Sequence, residues 1–261
     1  MDFDDAYANG AYIAGADAYP VRWAEAASGF RAGLDDRAQV GLPYGPSPRQ
    51  VFDLFLPNGT AHGTVIFVHG GYWRAFDPST WSHLAAGVLA RGWAVAMPGY
   101  DLCPDVRISH ISAQIARAVT AIAAETGGPI ALAGHSAGGH LVARMLAPGL
   151  LPPEVAARLS LVMPISPLSD LRPLLHTAMN ADLRLTEAEA AAESPLDMVE
   201  RLPVPVAVWV GAEERPAFLD QARWLSTAWS ADLVIAPGRH HFDVIDPLTD
   251  PMSPMVRLLT S

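Results

Sequence analysis

Short apolar, β-branched runs recur along the chain at 51–56, 64–68, 93–97, 129–133, 160–165, 204–210 and 232–235. Each has strand length, and several are separated by helix-compatible stretches at 81–91, 108–125, 138–146 and 218–229. This alternation constrains the fold more than any other feature. Strands that alternate with helices pair in parallel and need cover on both sides, so it predicts an α/β class with a mostly parallel central sheet and helices on both faces. At 51% hydrophobic over 261 residues the chain can bury the core such a sheet requires. Proline and glycine are dispersed and no repeat appears, so residues 1–261 read as a single domain. Two stretches depart from the alternation. Residues 1–50 predict short helices packed outside the sheet, and about 166–202 predicts a small helical cap insertion, with Thr186 and Glu189 in a capping-box pattern.

Charge removes several function classes. All 17 basic residues are arginine, so no lysine can form a Schiff base, a phosphate clamp or a Ser-Lys dyad. Against 27 acids they leave a net charge of -10, and no basic run tracks a phosphate backbone; nucleic acid is not an expected partner. The first five residues are acidic where a signal peptide is cationic, and no apolar run reaches the ~20 residues of a membrane span. The expectation is a cytoplasmic protein without a membrane partner. The lone Cys103 has no cysteine to pair with, follows a strand and precedes Pro104, and reads as structural.

Gly134-His135-Ser136-Ala137-Gly138 fits G-x-S-x-G between a predicted strand and a predicted helix, where a tight turn lifts a serine hydroxyl above the sheet. Flanking glycines leave the room that turn needs. His69-Gly70-Gly71-Tyr72-Trp73 follows another strand, and its glycines let backbone amides approach a substrate oxygen. Together the amides of Gly70, Gly71, Tyr72 and Ala137 form the expected oxyanion hole, an effect worth roughly 3 to 4 kcal/mol per donor.

A serine nucleophile of this type needs an acid and a histidine later in the chain, at strand ends, in that order. Glu213-Glu214 follows the run at 204–210, and His240-His241 follows the one ending at 235. Neighbouring side chains point apart, so one member of each pair serves and the residues alone leave open which. The remaining histidines, including His62, His83, His110 and His176, read as surface or satisfied core groups. His135 and His140 form no H-E-x-x-H, so neither metal nor cofactor is expected.

These motifs resemble α/β-hydrolase esterases of the hormone-sensitive-lipase-like branch and, within it, the kynurenine formamidase (arylformamidase) family. The pair Gly134-His135-Ser136-Ala137-Gly138-Gly139 and His69-Gly70-Gly71-Tyr72-Trp73 is similar to the formamidase pair; the wider branch more often has a third glycine after H-G-G and an Asp before the serine. Tyr100-Asp101-Leu102-Cys103-Pro104 is similar to the branch's Y-x-L-x-P element. Tyr7-Ala8-Asn9, Trp23, Phe30-Arg31 and Asp53-Leu54-Phe55 extend the likeness over nearly the whole chain. The spacing Glu214, Phe218, Gln221 matches the family's acid, and a histidine followed by Phe matches His241-Phe242. The resemblance therefore implies catalytic Ser136, Glu214 and His241, with Glu standing where the branch more usually has Asp.

It also implies hydrolysis of N-formyl-L-kynurenine to L-kynurenine and formate, a small-molecule reaction in tryptophan breakdown. Tyr72, Trp73 and Phe242 are the expected aromatic substrate surface, and an arginine is expected to hold the substrate carboxylate. The rival readings are a short-chain carboxylesterase or thioesterase with the same residues, and a binding protein with a vestigial triad. Aromatic residues near the N-terminus are compatible with a homodimer.

Overall fold

The computed structural model describes residues 2–261. Eight strands form one sheet: β1 Ala38–Pro43, β2 Val51–Phe55, β3 Thr64–Val68, β4 Ala94–Pro98, β5 Ile130–His135, β6 Leu159–Ile165, β7 Ala207–Gly211 and β8 Asp232–Ala236. Their order is β1-β2-β4-β3-β5-β6-β7-β8. The first two run antiparallel, and β4, β3, β5, β6, β7 and β8 are mutually parallel. The mostly parallel sheet expected from the sequence is therefore present.

Central strands are buried on both sides, which explains their continuous apolar runs: every residue of β3, β4, β5 and β7 is buried. Alternate residues feed two cores. Ile66 and Val68 face the long helix Ile108–Glu125, whose Ile108, Ile111, Ile115, Val119 and Ile122 recur at helical spacing. Val65 and Phe67 face Trp23, Leu84, Val88, Val256 and Leu259. Burying one such aliphatic side chain contributes about 1.5 to 3 kcal/mol.

Differences from the sequence expectation have local causes. The run at 204–210 forms a strand only from Ala207, because Pro205 has no N–H to give to a ladder. The stretch 81–91 divides into a 3₁₀ turn, Ser82–Ala85, and a short helix, Ala86–Ala90. β1 was not foreseen: it is an exposed edge strand whose register shifts between Gln39 and Leu42, where Gly41 has φ +71°. Thr186 caps the helix Glu187–Glu193 through Glu189 N (3.2 Å), while the Glu189 carboxylate pairs with Arg107 and Ser109 instead of reaching back.

The carboxyl ends of β3, β5, β7 and β8 carry His69-Gly70-Gly71, Ser136, Glu214 and His241 respectively. In an open parallel sheet that edge is where ligands bind.

Candidate active site

Ser136 sits between β5 and the helix Ala137–Arg144 with φ 56° and ψ -117°, a sparsely populated conformation for a residue with a side chain. Its neighbours permit it. A Cβ on Gly138 would lie 2.0 Å from Val68 O, and one on Gly134 would lie 2.2 Å from Gly138 O. Ser136 N donates to Ile165 O (2.8 Å) and Ser136 O accepts from His140 N (3.1 Å), which secures the turn against its strain. Ala137 opens the helix, so its amide points outward without an internal acceptor among the described residues.

The loop after β3 turns through three consecutive positive φ angles: Gly71 (103°), Tyr72 (50°) and Trp73 (55°). Gly71 O accepts from Arg74 N (2.9 Å) and Ala75 N (3.1 Å), which folds the loop back on itself. The amides of Gly70, Gly71 and Tyr72 take no backbone acceptor among the described residues, and all three residues line the cavity that Ser136 lines. Trp73 differs from its expected place. The third left-handed residue swings its indole into the core, where it is 0% exposed and meets the His140 ring edge-on at 5.1 Å; it does not line the cavity.

The two duplicated pairs separate cleanly. His241 Nδ1 and Glu214 Oε2 are 2.6 Å apart, and both residues are buried. The other carboxylate oxygen of Glu214 accepts from Gly211 N (2.8 Å) and from the Ser166 hydroxyl. The Phe218 ring packs on the imidazole at 4.4 Å. The loops after β7 and β8 are forced together: Glu213 N donates to Arg239 O (2.9 Å), and a Cβ on Gly211 would lie 2.2 Å from that same oxygen. Glu213 itself is exposed. His240 turns away, its Nδ1 accepting from Phe242 N (3.1 Å) and its Nε2 meeting the Tyr19 hydroxyl at 3.1 Å.

Ser136 and His241 line one cavity of about 530 Å³, with no hydrogen bond between them among the described contacts. Such bonds often tighten only when substrate is present. Beside them His135 donates from Nε2 to the His241 carbonyl (2.8 Å). Burial, reinforced by the neighbouring His241, holds the His135 imidazole well below the ordinary histidine range, so it is neutral. Burial likewise lowers His69 to about 4 and His140 to about 3.

Much of the cavity wall comes from the N-terminal segment, which sequence reasoning placed outside the sheet without a role in the site. Tyr7, Asn9, Pro20 and Trp23 line it together with Tyr72, Phe76 and Phe242. The segment is anchored by distant partners: Tyr7 O accepts from the Tyr72 hydroxyl (2.7 Å), and the Tyr7 hydroxyl accepts from Gln221 Nε2 (2.8 Å). Arg215 pairs with Asp5 at 2.6 Å. The Tyr7-Ala8-Asn9 element was the one available signal. The 166–202 stretch contributes only Met179 to the lining, with Asp182 pairing Arg74 (2.8 Å) at the mouth. Arg74 is the one arginine lining this cavity among the described residues.

Among the described residues no cluster of three or more His, Cys, Asp or Glu side chains is placed to hold a metal, and no helix is long and apolar enough to cross a membrane. Residues 65–212 match a family model described as alpha/beta hydrolase fold. A kynurenine formamidase of Danio rerio is 28% identical over 234 residues, covering 84% of this chain and 80% of that protein. The resemblance expected from the motifs is thus borne out. A solved Silicibacter sp. protein, provisionally named a thioesterase, is 62% identical with a TM-score of 0.99 over 100% of both chains. Esterase B of Lactobacillus rhamnosis shares the fold at TM-score 0.67 and 19% identity, covering 92% of this chain and 90% of that one.

Proposed function

The chain belongs to the alpha/beta hydrolase fold family, and from that premise we propose that it cleaves the formamide of N-formyl-L-kynurenine to L-kynurenine and formate. Ser136 is the nucleophile, His241 the base and Glu214 the group that orients it. His241 Nε2 takes the Ser136 proton as Oγ bonds to the formyl carbon. The oxygen that gains charge is received by the amides of Gly70, Gly71, Tyr72 and Ala137. Glu214 accepts from His241 Nδ1 and stabilises the imidazolium, which passes its proton to the aniline nitrogen as the C–N bond breaks. Water then attacks the formyl-serine, giving its proton to His241, and formate leaves with the hydroxyl restored.

The observation that carries this reading is the 2.6 Å His241–Glu214 pair opening, with Ser136 on its strained turn, into an aromatic-walled cavity. The wall from Tyr7, Trp23, Phe76 and Phe242 suits an aryl leaving group. Arg74 would hold the amino-acid carboxylate, and its pair with Asp182 is part-exposed, so exchanging one carboxylate for another costs little. The formamidase name of the relatives supports the choice of acyl group.

A thioesterase with the same residues is the second reading, favoured by the name of the 62% identical Silicibacter protein. Specificity constants for N-formylkynurenine, p-nitrophenyl acetate and short acyl thioesters decide between them. The formamidase reading expects formylkynurenine to lead, and a value no better than for the generic esters or thioesters overturns it. Covalent labelling by a fluorophosphonate, lost in Ser136→Ala and His241→Ala, is expected; an unlabelled wild-type protein would point to a vestigial triad.

A further inference from the structure

Of the two nitrogens of His135, one has a partner and one does not. Nε2 lies 2.8 Å from the His241 carbonyl, an oxygen that can only accept, so Nε2 carries the proton. The ring is neutral, and Nδ1 is therefore a bare lone pair. No described residue donates to it. The partnerless nitrogens His69 Nε2, His83 Nδ1 and His140 Nδ1 are sealed from solvent; His135 Nδ1 is not among the sealed atoms, and its residue lines the cavity. Nδ1 is on the side of the oxyanion loop, 3.5 Å from where a Cβ on Gly70 would be, and that same Cβ position is 2.9 Å from Ser136 Cβ. The His135 and His241 rings are 4.7 Å apart, centroid to centroid.

An amide and an ester ask different things of such a site. When His241 protonates the leaving nitrogen, it must do so on the nitrogen lone pair, and the N–H already present turns away from His241. That N–H needs an acceptor or it is left unpaired as the bond breaks. A leaving oxygen has no such hydrogen. The carbonyl oxygen of Gly70 on the oxyanion loop is engaged: it faces His69 Nδ1 and the Tyr100 hydroxyl. We propose that His135 Nδ1 accepts the N–H of the scissile amide, making His135 the residue that fits this site to amides over esters. This rests on the formamidase reading and deepens it.

Two substitutions separate the nitrogens of His135. His135→Gln reaches the His241 carbonyl with its side-chain amide and drops the lone pair at the Nδ1 position. His135→Asn keeps an acceptor near that position and drops the tie to His241. The substrates are formanilide and phenyl formate, which share an acyl group and differ by N–H against O. His135→Gln is expected to lower the formanilide-to-phenyl-formate ratio of kcat/KM at least tenfold, while His135→Asn lowers both constants with their ratio kept within about threefold. Ester turnover reports that each variant is folded. An unchanged ratio in His135→Gln, with wild-type formanilide turnover intact, overturns the acceptor role and leaves the formamidase reading standing. Wild-type protein that cleaves phenyl formate but neither formanilide nor N-formylkynurenine overturns both.

Discussion

Replacing Glu214 with glutamine changes one atom and reverses the logic of the histidine. In the native arrangement one carboxylate oxygen is committed to two donors, the Gly211 amide at 2.8 Å and the Ser166 hydroxyl, and the other faces His241 Nδ1 at 2.6 Å. A glutamine has one oxygen to place. The Ser166 hydroxyl can rotate to accept, but the Gly211 amide cannot, so the oxygen stays with Gly211 and the NH2 turns toward His241. Nδ1 must then accept, the proton moves to Nε2, and the imidazole faces Ser136 as a donor unable to take its proton. The equivalent acid-to-amide change in a Ser-His-Asp enzyme lowers kcat by about 10⁴-fold, or about 5 kcal/mol in the barrier. The same loss is expected here in kcat, for esters and formamides alike, with KM little changed because Glu214 is not on the cavity wall. Steady-state kinetics beside Glu213→Gln is the assay. Glu213 is exposed and should be neutral; a Glu214→Gln enzyme within tenfold of wild type, or equal damage from both changes, would refute the argument.

Arg74→Ala should raise KM for N-formylkynurenine about tenfold and lower the preference for it over formanilide, which has no carboxylate; an unchanged preference in competition assays would remove Arg74 from substrate binding. Gly138→Ala places a methyl 2.0 Å from Val68 O, between two buried segments of backbone, so little folded protein should be recovered, as near-ultraviolet circular dichroism will show. Folding should also weaken in acid. His69 and His140 are lowered to about 4 and about 3 by burial, so below pH ~6.5 the unfolded chain takes up protons that the native one refuses, and stability falls by up to ~1.4 kcal/mol per pH unit for each until those values are reached. Guanidinium midpoints from pH 7 to 4.5 should fall less steeply in His140→Gln, and identical slopes would contradict this.

The sheet was legible because its central strands are buried on both faces and so spell out unbroken apolar runs, as in 64–68, which β3 reproduces residue for residue. The edge strand β1 has no buried residue, and nothing in Ala38-Gln39-Val40-Gly41 separates it from loop. In the site, the turn at Ser136 announces itself because its glycines are sterically required. Two things stayed hidden. The place of Trp73 depends on three successive left-handed residues, of which only Gly71 advertises that conformation. The N-terminal wall is held by contacts such as Tyr7 with Gln221 and Asp5 with Arg215, more than 200 residues apart in sequence, which no local pattern reveals.

That wall separates two kinds of heritable change. The residues assigned to bond breaking lie on loops at the end of the sheet, after residue 68, and are fixed by backbone clashes that tolerate almost no variation. Tyr7, Asn9 and Trp23 belong to a segment that precedes every strand and is held to the rest by Tyr7 on Gln221 and Phe218, Asp5 on Arg215, and Trp23 packed on Trp81 and Phe76. A lineage that keeps those anchors can change the residues between them and reshape what enters the cavity while inheriting its chemistry intact. Divergence in substrate within such a lineage should therefore be sought in the residues ahead of β1.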